Sequence, residues 1–259
     1  MLKKISESEF SLSDVIVKGW SVYWQKIKDI AMIILFIHVP INIITYVLIA
    51  NSLEDVAKVI KIVEEFIKGF VGMIAVMGII VLVENTVNSD SVKIGWGAAL
   101  KKAFFRWGSA LGTSILAVLI ISWPLFLLLI PRVVLSQYFF KEIAPMLFFA
   151  IPGIWGIYYG LCYIFIINVV TLHHVGGKTA LNYSKSLVKW RWWKTLWVTI
   201  VLTLINIGLS FGVGYISSFL PDGNYIITDL FIQIVYAFSI VSITIFFLNL
   251  DYLSDRIKN

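Results

Sequence analysis

Residues 173–197, HHVGGKTALNYSKSLVKWRWWKTLW, hold the densest chemistry in the chain: paired histidines, Gly-Gly-Lys-Thr, five basic residues, four tryptophans and no acid. Three chemistries use such residues. A phosphate loop needs Gly-x-x-x-x-Gly-Lys-[Ser/Thr] between a strand and a helix, so that backbone amides curl around the phosphate. Gly177-Lys178-Thr179 fits, but Leu172 stands where the first glycine belongs and an apolar run, not a strand, precedes it. A metal site needs donors converging at ligand spacing. Adjacent His173 and His174 diverge on helix or strand, and no third donor stands nearby. Nucleic acid would want this basic and aromatic mixture on a water-facing surface, and the flanking segments argue against one.

Elsewhere the candidates are sparse polar residues inside apolar runs. Intramembrane ionisable groups are functional candidates by default; here they are His38, Glu84, Arg132, Asp229 and Asp251, of which only His38 falls near the middle of a run. Pro40, two residues on, interrupts the backbone ladder and frees a carbonyl. Glu84-Asn85 and Arg132 fall at run ends, where water or headgroups are within reach. Asn168 and Asn206 are placed to hydrogen-bond across helices. Gly156/Gly160 and Gly208/Gly212 are small-xxx-small pairs that allow close helix approach. No nucleophile–base pair, carboxylate dyad or metal cluster can be assembled, so no enzyme activity and no cofactor are expected.

The elements that must position these residues follow from composition. Of 259 residues, 59% are hydrophobic and 14% charged, against about 25% charged in a soluble domain. The chain is read as one integral membrane domain over 1–259, all-α and polytopic. Crossing about 30 Å of hydrocarbon takes roughly 20 apolar residues, and six stretches qualify: about 30–50, 66–85, 110–130, 147–171, 196–219 and 227–250. The polar first fourteen residues carry no signal-peptide pattern, and Cys162, alone, forms no internal disulfide. Sixteen of the 21 basic residues fall on one side of this topology, among them Lys3, Lys4, Lys93, Lys101, Lys178, Arg256 and Lys258; Lys58, Lys61, Lys68, Arg132 and Lys141 fall on the other. The bias predicts cytoplasmic termini in a prokaryotic cell membrane. Ser52-Leu-Glu-Asp55 reads as a helix start, followed by Leu53, Val56, Ile60, Val63 and Ile67 at helical spacing into span two.

A basic, tryptophan-bearing segment precedes each odd span, over 14–29, 95–109 and 176–195, with starts 81 residues apart both times. The pattern suggests three two-span units, each opened by an amphipathic helix at the interface. Mitochondrial carriers share such a plan, but their Pro-x-[Asp/Glu]-x-x-[Lys/Arg] signature follows none of these odd spans. In the third segment Ala180, Leu181, Ser184, Leu187 and Val188 fall on one helical side, with Lys178, Asn182, Lys185 and Lys189 toward the other. Such a helix suits the inner leaflet, its lysines near anionic headgroups. The expected anchors are Trp20, Trp24, Trp107, Lys178, Lys185, Lys189, Trp190, Arg191, Trp192 and Trp193; the partners are membrane lipids, not nucleic acid.

The third segment also resembles the intracellular motif of a prokaryotic six-span family, the membrane domain fused to some glycerophosphodiester phosphodiesterases and the YciC-like membrane proteins. The matching positions are Val169-Val170, Gly177, Ala180, Leu181, Ser184, Ser186, Arg191, Trp193 and Leu196, with Ser13, Gly19, Trp20 and Lys26 resembling the family's entry helix. His173 and His174 occupy the place of its usual acidic residue. The 259 residues hold no phosphodiesterase domain, so the resemblance carries over no catalytic residue. Together these features lead to the expectation of a non-enzymatic multi-pass protein in envelope maintenance or scaffolding. A small transporter with a central cavity lined by His38, Asn168 or Asn206 is the alternative.

Overall fold

The structure is a computed structural model that describes residues 9–88, 94–135, 144–219 and 225–258. The described residues are helical, without strands, and six stretches are long and apolar enough to cross a membrane. In chain order the helices are α1 (Leu12–Ala50), α2 (Glu54–Val87), α3 (Trp96–Phe104), α4 (Trp107–Leu135), α5 (Ala144–Cys162), α6 (Ile166–His173), α7 (Gly177–Val188), α8 (Trp192–Ser217) and α9 (Tyr225–Lys258). All six expected spans are present. Lys3, Lys4, Lys93 and Lys141 lie outside the described residues, as do the side chains of Arg132, Arg256 and Lys258.

The chain divides into two compact units. The first comprises Met1–Trp107 and Trp197–Asn259. It is built on α1, α2 and α9, with α3 packed against α1 and α2. Ser11 opens α1: the Asp14 amide donates to its hydroxyl, and the Ser11 amide donates to the Asp14 carboxylate. The helix then runs unbroken for 39 residues, through Pro40. At 1.5 Å per residue that is about 58 Å, so the entry segment 14–29 is the first part of span one and not a separate helix. Its packing partner is α9. Gly19 lies against Ser242, which leaves no room for a Cβ, the Tyr23 hydroxyl donates to the Ile234 carbonyl at 3.0 Å, and the Phe10 amide donates to Asn249 Oδ1 at 2.9 Å.

Helix α3 runs antiparallel along α2. The Ile94 amide donates to Asn85 Oδ1, Leu100 packs over Gly78, and the Trp107 indole donates to the Phe70 carbonyl at 2.7 Å. These contacts step evenly up one helix and down the other. The cap of α2 differs from the expected box. Leu53 is its N-cap, and the Ser52 hydroxyl instead donates back to the Leu48 carbonyl.

The second unit, Gly108–Leu196, packs α7 against α5 and α6. Its core joins Ala117, Cys162, Tyr163, Ile166 and Leu181. Span four is interrupted between α5 and α6. Ser184 of α7 sits at the interruption, its hydroxyl donating to the Cys162 carbonyl at 2.7 Å and accepting from the Phe165 amide at 3.3 Å. Lipid offers the broken ladder no partners, so a protein hydroxyl must.

The expected small-xxx-small contacts do not form among the described residues. Gly160, Gly208 and Gly212 face no atom within 4 Å, and Gly156 only just meets Ile121. Close approach happens instead at Gly19, Gly78 and Gly176. Gly19→Leu should therefore destabilise the folded protein by about 1–3 kcal/mol through overpacking, while Gly208→Leu should leave it nearly unchanged. Thermal unfolding in matched lipid nanodiscs compares the two, and equal losses would contradict the Gly19–Ser242 approach.

Candidate functional site

The outer face of α2 explains where the chemistry went. Ile62, Val63 and Phe66 are exposed, Phe66 by 65%, whereas Glu64 is only 8% exposed and Lys68 is nearly as buried. Of the predicted apolar face, Leu53, Val56, Val63 and Ile67 are exposed and Ile60 is half-buried, while Glu64 and Lys68 turn inward and Lys58, Lys61 and Glu65 stay exposed. For Ile62, Val63 and Phe66 with Glu64 and Lys68, hydrocarbon makes this the favourable arrangement, because the apolar side chains meet lipid and the two charges meet each other.

The inward charges converge on α9 and α1. Lys68 Nζ lies 2.9 Å from Glu64 Oε1 and 3.3 Å from Asp229 Oδ2. Asn42 Nδ2 donates to the same Asp229 oxygen at 2.8 Å. Asp229 in the first turns of α9 thus accepts from α1 and α2 at once. His38 stands one turn before Asn42 on α1, buried, its ring beside Gly72 of α2. Among the described residues His38 Nδ1 has no hydrogen-bond partner.

Sequence reading singled out His38, named Asp229 only as an ionisable residue at a span end, and missed Lys68, Glu64 and Asn42. Lys68 and Asp229 fell at the ends of the expected spans and Glu64 just outside, where solvated charge is the ordinary reading. The available signal was the i,i+4 spacing of Glu64 and Lys68 opposite the Val56/Val63/Ile67 stripe. Asn168 and Asn206 do not join this site. Asn168 is buried in α6 of the second unit, and Asn206 lies in α8 with a buried Oδ1 that has no hydrogen-bond partner among the described residues. Glu84 is half-buried near the end of α2.

Residues 173–197 serve local structure first. His174 ends α6 in the left-handed region at φ 64°, and the His173 ring packs on Tyr183 with centroids 5.1 Å apart. Gly177, at φ +58°, donates its amide to Thr113 Oγ1 at 2.7 Å, and Gly176 lies against Ser109. The Gly177 amide, which a phosphate loop would offer its ligand, is therefore engaged by protein. Among the described residues no group of histidine, cysteine and acid is arranged to hold a metal.

The predicted face of α7 is the buried one, Ala180, Leu181, Ser184, Leu187 and Val188, but protein covers it. What remains outward is cationic and aromatic: Lys178 and Lys189 are exposed, and Trp190 and Trp193 are 84% and 70% exposed. Lys185 reaches over the Tyr159 ring, while Arg191 and Trp192 are half-buried. Trp20 and Trp24 are about half exposed on α1, and Trp107 is tied to α2 by its indole.

No protein-family model, curated protein or solved structure matches the chain.

Removing Lys68 would leave buried Glu64 and half-buried Asp229 without the cation they share. Lys68→Met should cost about 3–5 kcal/mol of stability, as for a broken buried pair. Lys58→Met, which breaks only the exposed contacts to Glu54 and Asp55, should cost under about 1 kcal/mol. Unfolding in a common detergent would rank the two, and equal effects would remove Lys68 from the bundle's supports.

Proposed function

We propose that this multi-pass membrane protein is non-enzymatic, resides in a prokaryotic cell membrane with both termini cytoplasmic, and maintains or scaffolds the envelope through lipid contacts. The observation that carries the reading is the division of labour in α7. Its apolar face is taken up by protein, so Lys178, Lys189, Trp190 and Trp193 are held outward on a docked support. Basic groups near a membrane surface are drawn to anionic headgroups, and indoles settle at headgroup depth. Membership of the six-span family is part of the proposal. Gly177, Ala180, Leu181 and Ser184, which carry that resemblance, are residues by which α7 docks, so the pattern has a mechanical reason.

A transporter or permease-like subunit is the second reading, favoured by the buried His38–Lys68–Asp229 group, since such groups mark substrate and proton paths in membrane bundles.

The first reading is tested by native mass spectrometry from nanodiscs of mixed zwitterionic and anionic lipid. The protein should retain anionic lipid selectively, and Lys178→Gln with Lys189→Gln should weaken that retention roughly tenfold or more. Equal retention of both lipid classes would overturn it. Flux in proteoliposomes lost in His38→Ala would favour the second reading.

A further inference from the structure

The charges buried among α1, α2 and α9 do not balance. Glu64 and Asp229 bring two negative charges and Lys68 one positive, while Asn42 and a neutral His38 bring none. Burying net charge in a bundle surrounded by hydrocarbon is costly, and the cost falls when an opposite charge joins the group. The described group lacks one positive charge. The one basic nitrogen beside it that engages no partner among the described residues is His38 Nδ1, on a side chain 4% exposed.

We propose that His38, Glu64, Lys68, Asp229 and Asn42 form an intramembrane proton-binding site, with His38 Nδ1 as the acceptor. The step is a reversible transfer: a hydronium ion gives H⁺ to the imidazole, one O–H bond breaks as the Nδ1–H bond forms, water is left, and the group passes from one net negative charge to none. Histidine is the side chain whose ordinary titration falls in the physiological range, so the site can load and unload without extreme pH. Asp229, in the first turns of α9 and with a side chain 22% exposed, is the most open of the charged members and the natural point of entry. It lies at the end of this bundle away from the chain termini.

Among the described residues, the charged and polar groups around the imidazole come from α2, α9 and α1. Lys68, one turn from Gly72 on α2, carries Glu64 beside it, Asp229 comes from α9, and the polar side chain one turn along α1 is Asn42. Helix α3, which packs on α1 and α2, presents Lys101 and Lys102 outward. This site is independent of whether the protein scaffolds or transports, and its failure would leave the lipid reading untouched.

The test is imidazole NMR on the full chain in lipid nanodiscs, with His38→Gln assigning its signal against His173 and His174. The His38 ring should titrate between about pH 5 and 8. Asp229→Asn, which preserves shape, should move the midpoint to lower pH by roughly one pH unit, and Lys68→Met should move it to higher pH. A ring that stays neutral down to about pH 5 would overturn the proposal, as would a midpoint indifferent to Asp229→Asn. Should Lys68→Met fail to fold, the wild type and Asp229→Asn decide the matter alone.

Discussion

Hydrocarbon forms no hydrogen bonds, and every polar group carried into it must be answered from within the protein. The inversion of α2 is the direct consequence. Ile62 and Phe66 cost nothing facing lipid, while Glu64 and Lys68 can stay only because they answer each other and Asp229. Asp229 is the hub. It accepts from Asn42 of α1 and pairs with Lys68 of α2, so sliding any one helix along the others would separate charge in a medium that does not screen it. Dispersion between apolar faces tolerates a shift of register, but these contacts do not. The same residues that fix the bundle thereby leave His38 beside an uncompensated negative charge.

The second unit meets the same constraint with hydroxyls. Where span four breaks, Ser184 takes the Phe165 amide and supplies the Cys162 carbonyl. Where α7 begins, Thr113 takes the Gly177 amide. Both hydroxyls bond to backbone groups that helical ladders leave open at an end. A short helix with Gly at its start and Ala-Leu-x-x-Ser along one face is what such a docking needs: room at the start, a shallow face, and one hydroxyl at the break. The segment 173–197, which looked like phosphate or metal chemistry, carries those residues because it closes a broken span.

The membrane plan was legible because the hydrocarbon thickness forces long apolar runs, and six such runs can be read directly from residues 30–250. The buried face of α7 was legible for a related reason: helical period assigns Ala180, Leu181, Ser184, Leu187 and Val188 to one side whatever covers that side. What covers it was not legible, since lipid and a neighbouring helix reward the same side chains. Lys68 went unread, and Asp229 was named without a partner, because charge at the end of an apolar run is ordinarily solvated. Only the positions of three helices at once show otherwise. The glycine pairs misled for the converse reason. Gly208 and Gly212 make a smooth face, but smoothness does not say what lies across it, whereas isolated Gly19 and Gly78 meet Ser242 and Leu100.

The 81-residue period gains physical content from the docking faces. The N-caps of α3 and α7, Gly95 and Gly176, are 81 residues apart. Ala99 and Leu100 are buried like Ala180 and Leu181, and Ala103 like Ser184, at the same interval. Alternating basic loops alone would repeat charge, not one face at constant register. In each case the short helix packs back on the span before it, α3 on α2 and α7 on α6. The first copy differs from both. Its counterpart, with Gly19 and Val22 buried at the matching positions, runs straight into span one and packs on α9 through Ser242.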